Sequence, residues 1–325
     1  MIMTKDKKNI LAEKAVLVRF TTKHWSGIKS DKQLRNKLSV DTNASTDLLN
    51  VQKHLIDNDH AKYFRRIINK VRNDFYYPMT LPWDDNSTDV DDKVVSGWRL
   101  CPNTQLDKLS EAMDTAKRDF FKEVRAFVDT YDQKVEDAED LLGSAYDISD
   151  YPDVSEVEAK FKFDFEVNLI SSFGNNDLRL NVSEKMRQKI ENDVENRIKN
   201  NVASQTKVIV EALVEQVSHL ADKLKSYDPK NVKKGGFFKD SSVDKLRQAI
   251  QVLPSFNNDV FGSDADIAKA HSNLVSVMSK IDSVDSLRDQ SPSGQSKRDQ
   301  ISNDLQKAID PLKDDFLSKL GGKNG

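Results

Sequence analysis

With 325 residues, 32% charged and 37% hydrophobic, the chain is too polar for an ordinary compact enzyme. Its 15 Phe, 7 Tyr and 3 Trp are too many aromatics for wholesale disorder. The 50 basic and 53 acidic side chains are interspersed and leave a net charge of −3, which excludes a globally basic coat for duplex nucleic acid and leaves only a local patch for phosphates.

Cys101 is the single cysteine, so no intramolecular disulfide can form and a reducing compartment fits. The lysine-rich start carries no apolar signal segment, and no run approaches the ~18 apolar residues of a membrane span, so a cytoplasmic location is expected.

Ala15-Val16-Leu17-Val18-Arg19-Phe20-Thr21 is β-branched and aromatic and predicts one strand. A short helix is expected over 29–38 and a polar loop over 39–46. A helical stretch follows, carrying Leu48, Leu49, Val51, Leu55 and Ile56, then Tyr63, Phe64, Ile67, Ile68 and Val71. It ends near Tyr77, because Pro78 disfavours helix in the residue before it. Residues 78–103 read as irregular. Trp83 and Trp98 bracket an acidic loop with Asp84, Asp85, Asp89, Asp91 and Asp92, and both rings are expected against the helical body.

Leu106, Leu109, Met113, Ala116, Phe120, Val124, Phe127, Tyr131, Val135, Ala138 and Leu142 recur every three or four residues. That spacing predicts one helix of roughly 55 Å, capped by Asn103 or Thr104 and stopped at Gly143. A short helix near 154–161 precedes Phe163, Phe165, Val167 and Leu169, which alternate with polar residues. After Gly174-Asn175-Asn176, Leu178, Leu180 and Val182 alternate again, which predicts a β-hairpin. A second long helix is expected over 183–227. Its apolar positions are Met186, Ile190, Val194, Ile198, Val202, Ile209, Leu213, Val217, Leu220 and Leu224, and because fours dominate the steps the stripe drifts around the helix. Three shorter helices are expected over 243–253, 265–287 and 300–320, the last two separated by a flexible linker at 291–296.

The fold class is therefore mainly α with a minor β element. Two long antiparallel helices are joined through a short helix and a β-hairpin, and a C-terminal bundle of shorter helices follows. The expected organisation is a mixed α/β region over 1–103, a long helical hairpin with its β insert over 104–228, and C-terminal helices with a flexible tail over 229–325.

No P-loop is present. Lys233-Lys234-Gly235-Gly236-Phe237-Phe238-Lys239 is basic and aromatic, which makes Lys230, Lys233, Lys234, Phe237, Phe238 and Lys239 candidate nucleic-acid contacts. The plainer reading is a solvated hinge. His24, His54, His60, His219 and His271 are dispersed without a His-Glu-x-x-His pattern, and the acidic loop lacks the Gly and Glu of a calcium loop. Cys101 precedes a helix start, which can activate a thiol, but no histidine is near in sequence and a buried structural cysteine is expected. No catalytic, cofactor or metal site is expected.

Tyr77-Pro78-Met79-Thr80-Leu81-Pro82-Trp83-Asp84, Gly97-Trp98-Arg99-Leu100 and the helix with Phe120, Val124, Phe127 and Tyr131 resemble a phage- and prophage-encoded family of unknown function. So do Asp150-Tyr151-Pro152, Phe161, Phe163, Asp177-Leu178-Arg179-Leu180 and, later, Leu253-Pro254 with Asn257. The likeness covers roughly 15–260, with 87–96 as an apparent insertion. Members of that family are often encoded beside a MoxR-like AAA+ ATPase and a von Willebrand factor A-like protein. The resemblance implies a non-enzymatic adaptor or partner of an ATPase system in the bacterial host cytoplasm. Exposed seam residues of the second long helix and the hairpin tip, Ser171, Phe173, Gly174, Asn175, Asn176 and Asp177, are the expected protein contacts. A self-assembling structural or scaffold protein and a nucleic-acid-binding protein are the alternatives.

Overall fold

The computed structural model describes residues 11–57, 59–83, 97–170, 184–228, 239–313 and 316, and the elements below are those of the described residues. Helices dominate, with a small antiparallel sheet in which residues 81–82, 99–102, 15–23 and 162–169 lie side by side in that order and a separate strand pair, so the chain is mainly α. By contacts it divides into two units. One comprises Met1–Val18, Pro78–Asp107 and Val167–Gly325, the other Arg19–Tyr77 and Lys108–Glu166.

In the first unit, the start of β1 (Ala15–Lys23) pairs antiparallel with β5 (Arg99–Pro102), Ala15 opposite Pro102 and Val18 opposite Arg99. β4 (Leu81–Pro82) pairs with the other side of β5. Ala15, Val16 and Val18 are all buried, which is why this run is apolar at successive positions and not at alternate ones. Arg99 is buried too. Its Nε donates to the Thr80 hydroxyl at 2.7 Å and its Nη2 to the Thr80 carbonyl at 3.0 Å, which offsets the cost of desolvating a charge.

The same unit holds α6 (Glu184–Lys225), whose 42 residues span about 63 Å. Its C-terminal half has a continuous buried stripe: Thr206, Val210, Leu213, Val217, Leu220 and Leu224. Those steps alternate four and three, a 3.5-residue period that keeps one seam facing its neighbours. The neighbours are α9 (Pro292–Ala308) and α7 (Asp240–Asp259), with α8 (Ala265–Met278) packed against both. Ser302 of α9 donates to the Ala221 carbonyl of α6 at 2.8 Å.

Two expectations for the C-terminal helices are corrected. Residues 291–296 are the start of α9, not a linker: Ser291 caps it, accepting from Gly294 N–H at 3.0 Å, and Pro292 takes the first turn, where a missing N–H costs nothing. Nor does α7 stop before Pro254; it continues to Asp259. Proline removes the donor that the Ile250 carbonyl would otherwise use.

In the second unit, β2 (Ile28–Ser30) and β3 (Gln52–His54) pair antiparallel, with α1 (Lys32–Thr42) between them. The helical stretch expected from Leu48 begins only at α2 (Asp59–Val71), because the backbone of 52–55 is used in strand pairing and in the 2.7 Å bond from Leu55 N–H to the Gly27 carbonyl. Ala61, Phe64, Ile68 and Val71 form the buried face of α2, and a π-helical turn, Arg72–Tyr76, follows.

The long helix expected from Leu106 to Leu142 is two helices, α3 (Asn103–Asp129) and α4 (Tyr131–Leu142). Thr130 separates them: its hydroxyl donates back to the carbonyls of Ala126 at 3.1 Å and Phe127 at 3.2 Å, a competition with the helical ladder that interrupts or bends helices. The apolar face of α3 is nonetheless as the spacing predicts, with Leu109, Met113, Ala116, Phe120, Val124 and Phe127 buried.

After α5 (Val154–Glu158) comes β6 (Lys162–Leu169), the first strand of the expected hairpin; Leu178, Leu180 and Val182 lie outside the described residues. The core of this unit is aromatic. Phe64 lies 5.3 Å from Phe120 and 4.9 Å from Phe161, and Phe20 lies 4.7 Å from Phe163, ring to ring. Each such pair stabilises by about 0.5–1.5 kcal/mol beyond its buried area.

Candidate functional site

The expected protein contacts Ser171, Phe173, Gly174, Asn175, Asn176 and Asp177 lie outside the described residues, as do Lys230, Lys233, Lys234, Phe237, Phe238 and the five acids of the loop after Trp83. Lys239 is exposed and stands at the N-cap of α7 without a side-chain cap bond. Trp83 and Trp98 are both half-buried and joined through the backbone, Trp83 N–H to the Trp98 carbonyl at 3.0 Å.

Cys101 is fully buried in β5, and burial pushes its thiol up to about 12, so at neutral pH it holds its proton. Burial also lowers His24, His60 and His271 below the ordinary histidine value. Among the described residues no three His, Cys, Asp or Glu side chains form a group able to hold a metal ion, and no helix is long and apolar enough to cross a membrane.

Two surfaces stand out. The first is the N-terminal half of α6. Among its described side chains from Lys185 to Asn200 none is buried, Met186 is 48% exposed, and Ile198 and Val202 are half-buried. The sequence here steps by fours from Met186 to Val202 and changes to alternating fours and threes where burial begins. The side chain of Asn201 donates to the Trp83 carbonyl at 2.6 Å. A concavity beside Lys185, Met186, Gln188, Lys189, Asn192 and Asp193 is walled by this one helix alone among the described residues, and is too open to enclose a small molecule.

The second surface went unread in the sequence. It is the outer face of α2, where Lys62, Arg65, Arg66, Asn69 and Lys70 are exposed opposite the buried Phe64 and Ile68. The Arg66 guanidinium lies 4.7 Å over the ring of Tyr63. Close by, Arg72 donates to the Thr22 hydroxyl at 3.1 Å and lies 5.2 Å over Phe20. A sequence signal existed: five cations and no acid lie between Asp59 and Asp74, more than in any other acid-free interval of the chain.

A family model described as a protein of unknown function (DUF3150) matches residues 12–228. The chain belongs to this family. No curated protein and no solved structure matches it. The DUF3150 match runs from β1 to just past the end of α6, so both surfaces fall inside it. Leu253-Pro254 and Asn257 lie beyond it, as do α7, α8 and α9, the helices that pack with the C-terminal half of α6 in its unit.

Proposed function

We propose that this DUF3150 chain is a non-enzymatic phage protein that acts as an adaptor. In this reading the N-terminal half of α6 takes a protein partner in the host cytoplasm, a MoxR-like AAA+ ATPase or its von Willebrand factor A-like companion. The observation that carries the proposal is the division of one 42-residue helix into a buried half and a half without a buried described side chain. Met186 is exposed and Ile198 and Val202 are half-buried, residue types that an interface uses, and methionine adapts to irregular partners. The resemblance of the sequence to proteins encoded beside an ATPase supports the choice of partner class.

The test is a tagged pull-down of the full chain from infected cells, with nuclease added to half of each sample. A AAA+ ATPase is expected in both halves for the natural chain, and about tenfold less of it for Met186→Glu with Ile198→Glu. Recovery of further copies of the chain alone would replace the adaptor reading with self-assembly along the same helix.

A further inference from the structure

We infer that the outer face of α2 is a separate binding surface, one that takes the phosphate backbone of a nucleic acid. It does not rest on the adaptor reading, which concerns the other unit. Lys62 is partly committed, 2.9 Å from Asp59, and Arg72 is held by Thr22 and Phe20. Arg65, Arg66 and Lys70 form no ion pair among the described residues, and Lys23, at the end of β1, is exposed as well. From Lys62 to Lys70 the cations extend along about 12 Å of helix.

The environment of His24 is in keeping with a basic face. His24 is held below the ordinary histidine value first by burial and then by the positive charges of Arg65 and Arg72, with no acid acting on it in the opposite direction.

The composition of the face selects the ligand class. Its exposed residues are Lys, Arg and Asn with the half-exposed ring of Tyr63, and it has no exposed aliphatic side chain. Protein interfaces bury an apolar centre and are poor in lysine, whereas Arg, Lys, Asn and Tyr are the side chains that hold phosphate and sugar. The five cations between Asp59 and Asp74, without an acid among them, are what draws a polyanion to α2.

The test uses the full chain with a fluorescent mixed-sequence single strand and the matching duplex, followed by anisotropy between about 50 and 200 mM salt. Binding that weakens with salt is expected. Arg65→Gln, Arg66→Gln and Lys70→Gln together should weaken it at least about tenfold and reduce the log–log salt slope on the single strand by about 2, at roughly 0.7 per lost phosphate contact. These three positions are exposed, and circular dichroism checks that α2 stays folded. Lys233→Glu with Lys234→Glu should leave affinity within about twofold. The inference is overturned by no binding at the lowest salt, by binding indifferent to the triple change, or by loss with the loop change alone. Displacement of neither nucleic acid but capture of polyglutamate would assign the face to an acidic protein segment instead.

Discussion

Pro254 stands inside α7, so the Ile250 carbonyl loses its helical donor. Pro254→Ala returns the residue-254 N–H to that ladder and should leave stability unchanged or raise it in urea unfolding; a loss of more than about 1 kcal/mol would show that the packing of the ring outweighs the missing bond.

His271 belongs to a wider pH response with His24 and His60. Burial lowers all three, Arg65 and Arg72 add to the effect on His24, and Lys134 adds to it on His60 while Asp57, Glu123 and Asp59 partly oppose it. The fold favours the neutral ring, so protons bind more tightly to the unfolded chain. Their contribution is whole above the ordinary value of 6.5 and is lost as the pH falls through the lowered folded values. Unfolding midpoints should therefore drop between pH 7.5 and 5.5, and in Arg65→Gln the NMR titration of His24 should move upward. An unmoved His24 would show that the charge on α2 is screened.

At the scale of elements, the period of the apolar residues carried most of the fold. The stripes of α2 and α3 are legible because a buried helix face must recur every 3.6 residues. What periodicity could not supply were the interruptions, which depend on single polar groups. The hydroxyl of Thr130 divides α3 from α4, and strand pairing claims residues 52–54 from an apparent helix. Ser291-Pro292 reads equally as linker or as helix start until Gly294 is seen against Asp289.

That last contact gives a prediction. A Cβ on Gly294 would lie 2.3 Å from the Asp289 carbonyl oxygen, so Gly294→Ala should destabilise by about 1–3 kcal/mol by shifting the first turn of α9. The division of α6 was also legible, in the change of step after Val202, although drift alone did not say which half would be covered. Leu220→Ala should cost about 2–5 kcal/mol, whereas Met186→Ala should stay within about 0.5 kcal/mol in the same denaturation assay.

For the whole molecule, the two units carry different surfaces: in one the N-terminal half of α6, with no buried side chain among those described, and in the other a charged face. The basic face was readable as an acid-free interval, but a chain-wide net charge of −3 conceals it, because the acids that balance it cluster elsewhere in the same unit. The central claim is that α6 holds a protein partner with its N-terminal half. The most direct measurement places a photo-crosslinking amino acid at Met186 in the full chain, and in a control at exposed Lys245 on α7, and identifies the adducts from infected cells. Crosslinking of a AAA+ ATPase or its von Willebrand factor A-like companion from position 186 and not from 245 is the predicted result. Equal adducts from both positions, or none from 186 while the partner is still recovered by pull-down, would contradict it.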